Sequence, residues 1–174
     1  MLLKDLDHRS ICILGFGKEG KALFEAIEKE APDAKVAIAD KNAELKIPET
    51  AFAHQSGEAW LKNLETFDVI IASPGIPPCA ELDAVQEKLT NSTQIFLDEA
   101  DDRGAIVVGV TGSKGKSTTT SLIAAVLKAA GKDVILAGNI GIPSIAELPH
   151  LKSGTIIALE MSSYQLMRVT SSPH

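Results

Sequence analysis

Short apolar runs recur along the chain, and helical spacings fill the gaps between them. The runs occupy residues 11–14 (ICIL), 36–39 (VAIA), 68–72 (DVIIA), 94–97 (QIFL), 105–110 (AIVVGV), 133–137 (DVILA) and 155–159 (TIIAL). They are mostly continuous rather than alternating and rich in Val and Ile, the pattern of strands covered on both faces. Between them, Ala22, Leu23, Ala26 and Ile27 recur at spacings of three and four. Leu122, Ile123, Val126, Leu127 and Ala130 do the same, with Gly131 placed to stop the helix. Alternating strands and helices predict an α/β fold with parallel sheets. There is no internal repeat or low-complexity tract.

Each half opens with its own strand, glycine loop and helix. This predicts two domains, residues 1–98 and 99–174, with the acidic segment LDEADDRGA (residues 97–105) between them. That segment is also compatible with one short helix inside a single sheet. Composition supports a packed core: 45% of the 174 residues are hydrophobic and 23% charged. A net charge of −6 argues against a broad nucleic-acid surface, which needs clustered Lys and Arg. Two cysteines suggest no disulfide framework, and Cys12 reads as a core residue. Four scattered histidines have no zinc-like spacing. No apolar stretch is long enough for a membrane span or a signal-peptide core, so a cytoplasmic location is expected.

After the first strand comes Gly15-Phe16-Gly17-Lys18-Glu19-Gly20, a G-x-G-x-x-G loop, then a helix, then a strand ended by Asp40. This is the dinucleotide-binding arrangement. Glycines let the backbone approach a pyrophosphate, and the helix N-terminus offers unpaired N–H groups. Asp40 can accept from a ribose or base. NAD, FAD and sugar nucleotides all remain open, as does a merely tight strand-to-helix turn. ASPGIPP (residues 72–78) follows another strand, so Ser73, Pro74 and Gly75 either face the same ligand or form a rigid proline turn.

The second loop, GVTGSKGKST, misses the strict G-x-x-x-x-G-K-[ST] pattern by one residue, because Val110 stands at the first glycine position. Gly112 and Gly115 keep it permissive, and the amides of Ser113, Lys114, Gly115, Lys116 and Ser117 can converge on phosphate oxygens. Lys116 would reach the β- and γ-phosphates of ATP, with Thr118 beside it, and Ser117 would ligate Mg²⁺. Asn139, in GNIG, can hydrogen-bond a phosphate or carbonyl. Glu160 ends a buried strand; it is either a Mg²⁺ ligand or an acid paired with a helix N-terminus.

TGSKGKST, GNIG, EMSSYQL and SPGI together resemble the Mur ligase family, the ATP-dependent amide-bond ligases of peptidoglycan synthesis, and within it the D-glutamate-adding member. The resemblance implies a Rossmann-like first domain and the beginning of a P-loop ATP-binding α/β domain. It places a UDP-sugar rather than NAD in the first loop, near Gly15, Phe16, Gly17, Lys18, Glu19, Asp40 and Lys41, with Ser73, Pro74 and Gly75 alongside. Asn139 would meet the substrate pyrophosphate or sugar, Ser162 and Gln165 would face substrate, and Ser117 and Glu160 would hold Mg²⁺. The implied substrates are UDP-N-acetylmuramoyl-L-alanine and D-glutamate, joined through an acyl phosphate, with Lys116 acting on the transferring phosphoryl group and the full-length protein a monomer. Family members have three domains, so a chain ending at His174 resembles a fragment, inactive alone, with part of its central sheet uncovered. A non-catalytic nucleotide-binding module, a related ligase with another amino-acid substrate, and a dehydrogenase are the alternatives.

Overall fold

The computed structural model describes residues 1–170; His174 and the preceding SSP lie outside them. The chain divides into two compact units, Leu2–Ser92, and Thr93 onward together with Met1.

The first unit is a five-stranded, all-parallel sheet. Its strands are β1 (Ser10–Leu14), β2 (Lys35–Asp40), β3 (Ala53–Ser56), β4 (Val69–Ala72) and β5 (Leu89–Thr90), in the order β3-β2-β1-β4-β5. Leu14 pairs with Ala39 on one side and Ala72 on the other. The three central strands therefore end level, where strand order reverses, and ligands of open α/β sheets bind at such a point. Helix α1 (Lys18–Glu30) buries Gly20, Leu23, Phe24 and Ile27. Cys12, Leu14, Ile70 and Ala72 lie in one core cluster with Leu64, Leu82 and Val85. Burial pushes the Cys12 thiol up to about 12, so it is an inert core residue, as expected. The short helix α2 (Ala80–Asp83) closes this side through Leu82. The edge strands β3 and β5 carry no apolar run; their pairing to β2 and β4 makes them strands.

Helix α3 (Ser92–Asp102) starts at the last residue of the first unit and belongs, from Thr93 on, to the second. This corrects the strand expected at QIFL. Asn91 through Leu97 are all buried, as are Glu99 and Ala100. A helix buried all round has no polar stripe, so its apolar run looks like that of a covered strand. LDEADDRGA is the second half of this helix and the turn into β6 (Ile106–Val110). Its buried Glu99 is bonded by Arg103, with Nη2 at 2.9 Å, while Arg103 Nη1 donates to the Leu148 carbonyl at 2.6 Å.

Helix α4 (Lys116–Ala129), β7 (Val134–Gly138), β8 (Ile156–Glu160) and the short helix α5 (Ser163–Leu166) follow, and the parallel sheet runs β6-β8-β7. α4 buries Thr120 and Ala124. Gly131, at φ +73°, follows the helix end as expected. Two expectations fail here. Leu122 and Val126, grouped with the core stripe, are 61% and 59% exposed, because Ala124 and its neighbours Ile123 and Leu127 face the sheet instead. Edge strand β6 is not covered on both faces: Ile106 is 54% exposed.

Candidate functional site

In the first unit, the G-x-G-x-x-G loop leaves β1 at Gly15 and enters α1 at Lys18. Gly15 sits at φ +84°, and a Cβ there would lie 2.8 Å from Ser73 Oγ. A Cβ on Gly20 would lie 2.2 Å from the Gly15 carbonyl oxygen. Both glycines are therefore required by packing. Gly17 has nothing within 4 Å of its Cβ position, so its outer face is open to a ligand.

The residues around the loop are tied to it. Ser73 Oγ donates to the Gly15 carbonyl at 2.9 Å. Asp40 Oδ2 accepts from the Phe16 amide at 2.7 Å, and its Oδ1 accepts from Asn42 at 2.8 Å. Asp40 thus holds the loop's shape as well as ending β2. Phe16 is buried edge-on against Phe24, with ring centroids 5.8 Å apart. Lys18, Lys41 and Gly75 are exposed, and Pro74 is half-buried. The Ser92 hydroxyl donates to Glu19 Oε1. Ser92 was not anticipated, since it lies just before the run read as a strand and outside every motif. Thr93, which opens the second unit, buries a hydroxyl with no partner among the described residues. A shallow recess, open to solvent, lies between Ile13, Glu19, Gly20, Leu23, Ile71, Ala72, Ser73 and Ser92. It encloses no ligand-sized space, so a nucleotide would have to lie across the loop's open face.

In the second unit, three strands end at one edge. Glu160 pairs with Val110 on one side and Gly138 on the other. The second glycine loop, GNIG and EMSS therefore leave the sheet side by side. The loop runs through Gly112 (φ +148°) and Gly115 (φ +78°), and a Cβ on Gly115 would meet nothing within 4 Å. Thr119 N–H donates to the Gly115 carbonyl at 2.9 Å, closing the first turn of α4. The amides of Lys116, Ser117 and Thr118 precede that bond and have no intrahelical acceptor. Ser113, Lys114, Ser117 and Thr118 are exposed and Lys116 is half-buried. Lys116 Nζ donates to the Gly112 carbonyl at 2.8 Å, a bond it must give up to reach a phosphate.

Glu160 is 3% exposed, and its Oε2 has no hydrogen-bond partner among the described residues. A buried, unsatisfied carboxylate oxygen is costly. An oxygen-seeking divalent cation would satisfy it, so the residues fit Mg²⁺. Ser162 and Gln165, expected to face substrate, form a reciprocal cap on α5. The Ser162 amide donates to Gln165 Oε1 at 2.8 Å, and the Gln165 amide donates to Ser162 Oγ at 3.2 Å. The spacing S-x-x-Q carries that signal in the sequence.

Residues 110–172 match the family model of the Mur ligase middle domain. Along nearly its whole length the chain is also similar to curated Mur-type glutamate ligases. The UDP-N-acetylmuramoyl-L-alanine--L-glutamate ligase of Salinispora tropica is 38% identical over 99% of this chain and 39% of its own length. The UDP-N-acetylmuramoylalanine--D-glutamate ligase of Symbiobacterium thermophilum is 34% identical over 93% of this chain and 37% of its own. The chain thus spans well under half the length of these relatives. The crystal structure of MurF ligase from Thermotoga maritima in complex with ADP covers 92% of this chain and 31% of its own, with a TM-score of 0.35 and 16% identity. No helix among the described residues is long and apolar enough to cross a membrane.

Proposed function

We propose that the intact protein is a cytoplasmic, ATP-dependent ligase that joins glutamate to UDP-N-acetylmuramoyl-L-alanine in peptidoglycan synthesis. In this reading the first unit holds the UDP-sugar across Gly17, and the second holds ATP on the 112–118 loop. The observation that carries the reading is the buried, unpartnered Oε2 of Glu160, level with the strand ends that bear the phosphate loop and GNIG. Ser117 and Glu160 would hold Mg²⁺, which neutralises charge on the transferring phosphoryl group when bound. Lys116 would swing from the Gly112 carbonyl to the same group, and the loop amides would orient the triphosphate tail. The substrate carboxylate takes the phosphoryl group, giving an acyl phosphate and ADP. The glutamate amine then attacks, forming the amide and releasing phosphate. We take the intact enzyme to be a monomer and this chain alone to bind UDP-sugar without completing the reaction.

Some relatives, at 38% and 36% identity among others, are named for L-glutamate, and others, one at 34% among them, for D-glutamate, so both isomers enter the test. Phosphate release is measured with the intact protein, ATP, Mg²⁺, UDP-N-acetylmuramoyl-L-alanine and either isomer. Release dependent on all components is expected. No release, together with an absorbance change on adding NAD(P)H, would make the first unit that of a dehydrogenase. Calorimetry of the 174-residue chain with the UDP-sugar tests the first unit separately; absence of binding would remove its assigned ligand.

A further inference from the structure

GNIG is built around Glu160 more closely than a substrate-contact role requires. Gly138, at φ +102°, lets the end of β7 press against Glu160: a Cβ there would lie 2.1 Å from the Glu160 carbonyl oxygen. The next amide, that of Asn139, donates to the same carbonyl at 3.0 Å. The Asn139 side chain then brings Nδ2 to within 3.5 Å of Glu160 Oε1, a long contact. One residue thus addresses both the backbone and the carboxylate of Glu160. Its amide takes Oε1, and Oε2 is the oxygen left without a partner.

From this geometry we infer that Asn139 is a positioning residue, which orients the Glu160 carboxylate so that Oε2 alone faces a divalent cation. The inference rests on the reading of Glu160 as a cation ligand. Carboxylates that ligate metals are themselves commonly held by a hydrogen-bond donor, and losing that donor typically weakens metal affinity by about ten- to a hundredfold. Asn139 is exposed, so its replacement does not disturb a core.

The test is Mn²⁺ binding to the chain, followed by electron paramagnetic resonance with no nucleotide or UDP-sugar present. Asn139→Leu, which removes the donor, is expected to weaken Mn²⁺ binding at least tenfold. Asn139→Ser, too short to reach Oε1, is expected to do the same and serves if the leucine variant misfolds. In a Glu160→Gln background, adding Asn139→Leu should change the affinity less than about twofold, because the two residues act as one unit. Wild-type affinity in both Asn139 variants would overturn the inference while leaving Glu160 as a ligand, as would losses that simply add in the double variant. If Glu160→Gln binds Mn²⁺ as well as the wild type, the reading beneath the inference fails, and the inference falls with it.

Discussion

The two glycine loops look alike in the sequence and do different physical work. In the loop of residues 15–20, two of the three glycines are required by packing against Ser73 and the Gly15 carbonyl, and Asp40 fixes the Phe16 amide. Only Gly17 has an open face. In the loop of residues 112–118, Gly115 is needed for its left-handed backbone, not for lack of space, and the side-chain bonds that hold the loop are local ones, from Lys116 to the Gly112 carbonyl and from Thr120 to the Lys116 carbonyl. The first loop is braced by its neighbours before any ligand arrives. The second leaves amides and an ammonium group for a ligand to order. A glycine in a motif therefore has at least two meanings, and a substitution at each separates them.

The largest effect belongs to the open loop. Lys116→Ala in the intact enzyme should lower kcat by about 100- to 1000-fold, or roughly 3–4 kcal/mol, if a lost phosphoryl-stabilising charge costs as much as a lost oxyanion donor. Its urea midpoint should stay near wild type, because Lys116 anchors nothing but its own loop. Steady-state kinetics and urea unfolding, run together, distinguish a chemical role from a structural one.

Next comes the braced loop. Helix propensity alone says Gly20→Ala should stabilise α1 by up to about 1 kcal/mol. The 2.2 Å approach to a backbone carbonyl says the reverse, and overpacking of this kind costs about 1–3 kcal/mol. We expect net destabilisation, seen as a lower urea midpoint. A stabilised variant would mean the first loop is not braced as described.

Gly115→Ala should be milder in stability. Its added methyl has room, so the cost is the left-handed backbone alone, about 1 kcal/mol. Phosphate-loop function should suffer more than folding, read as weaker ATP binding by calorimetry.

The smallest effect lies far from both loops. The Ser10 amide and then its hydroxyl hold the Asp68 carboxyl below the ordinary carboxylate range. A lowered folded value means that the stabilisation is fully present above the unfolded value and is lost as pH falls through the folded one. Ser10→Ala removes only the hydroxyl. It should move the Asp68 midpoint up in an NMR titration and lower stability slightly near pH 7, the difference from wild type shrinking to nothing as pH falls through the folded value.

The sequence already determined much. Six of the seven apolar runs are strands where expected, because continuous Val- and Ile-rich runs of four to six residues suit parallel strands, although the edge strand β6 is not covered on both faces. Both glycine loops sit between a strand and a helix, since glycines and helix starts are local signals. What failed was non-local. QIFL is helical because nearly every side of it is buried, and four residues cannot reveal a period of 3.6. β3 and β5 exist through hydrogen bonds to strands distant in sequence. α4 shows two apolar stripes, and only packing chose Ala124 over Leu122 and Val126. Glu160 could be named as a candidate from its place after a strand. That one oxygen is buried without a partner, and the other lies beside Asn139, emerges only when three strand ends are brought level, because burial and hydrogen bonding are properties of the assembled sheet.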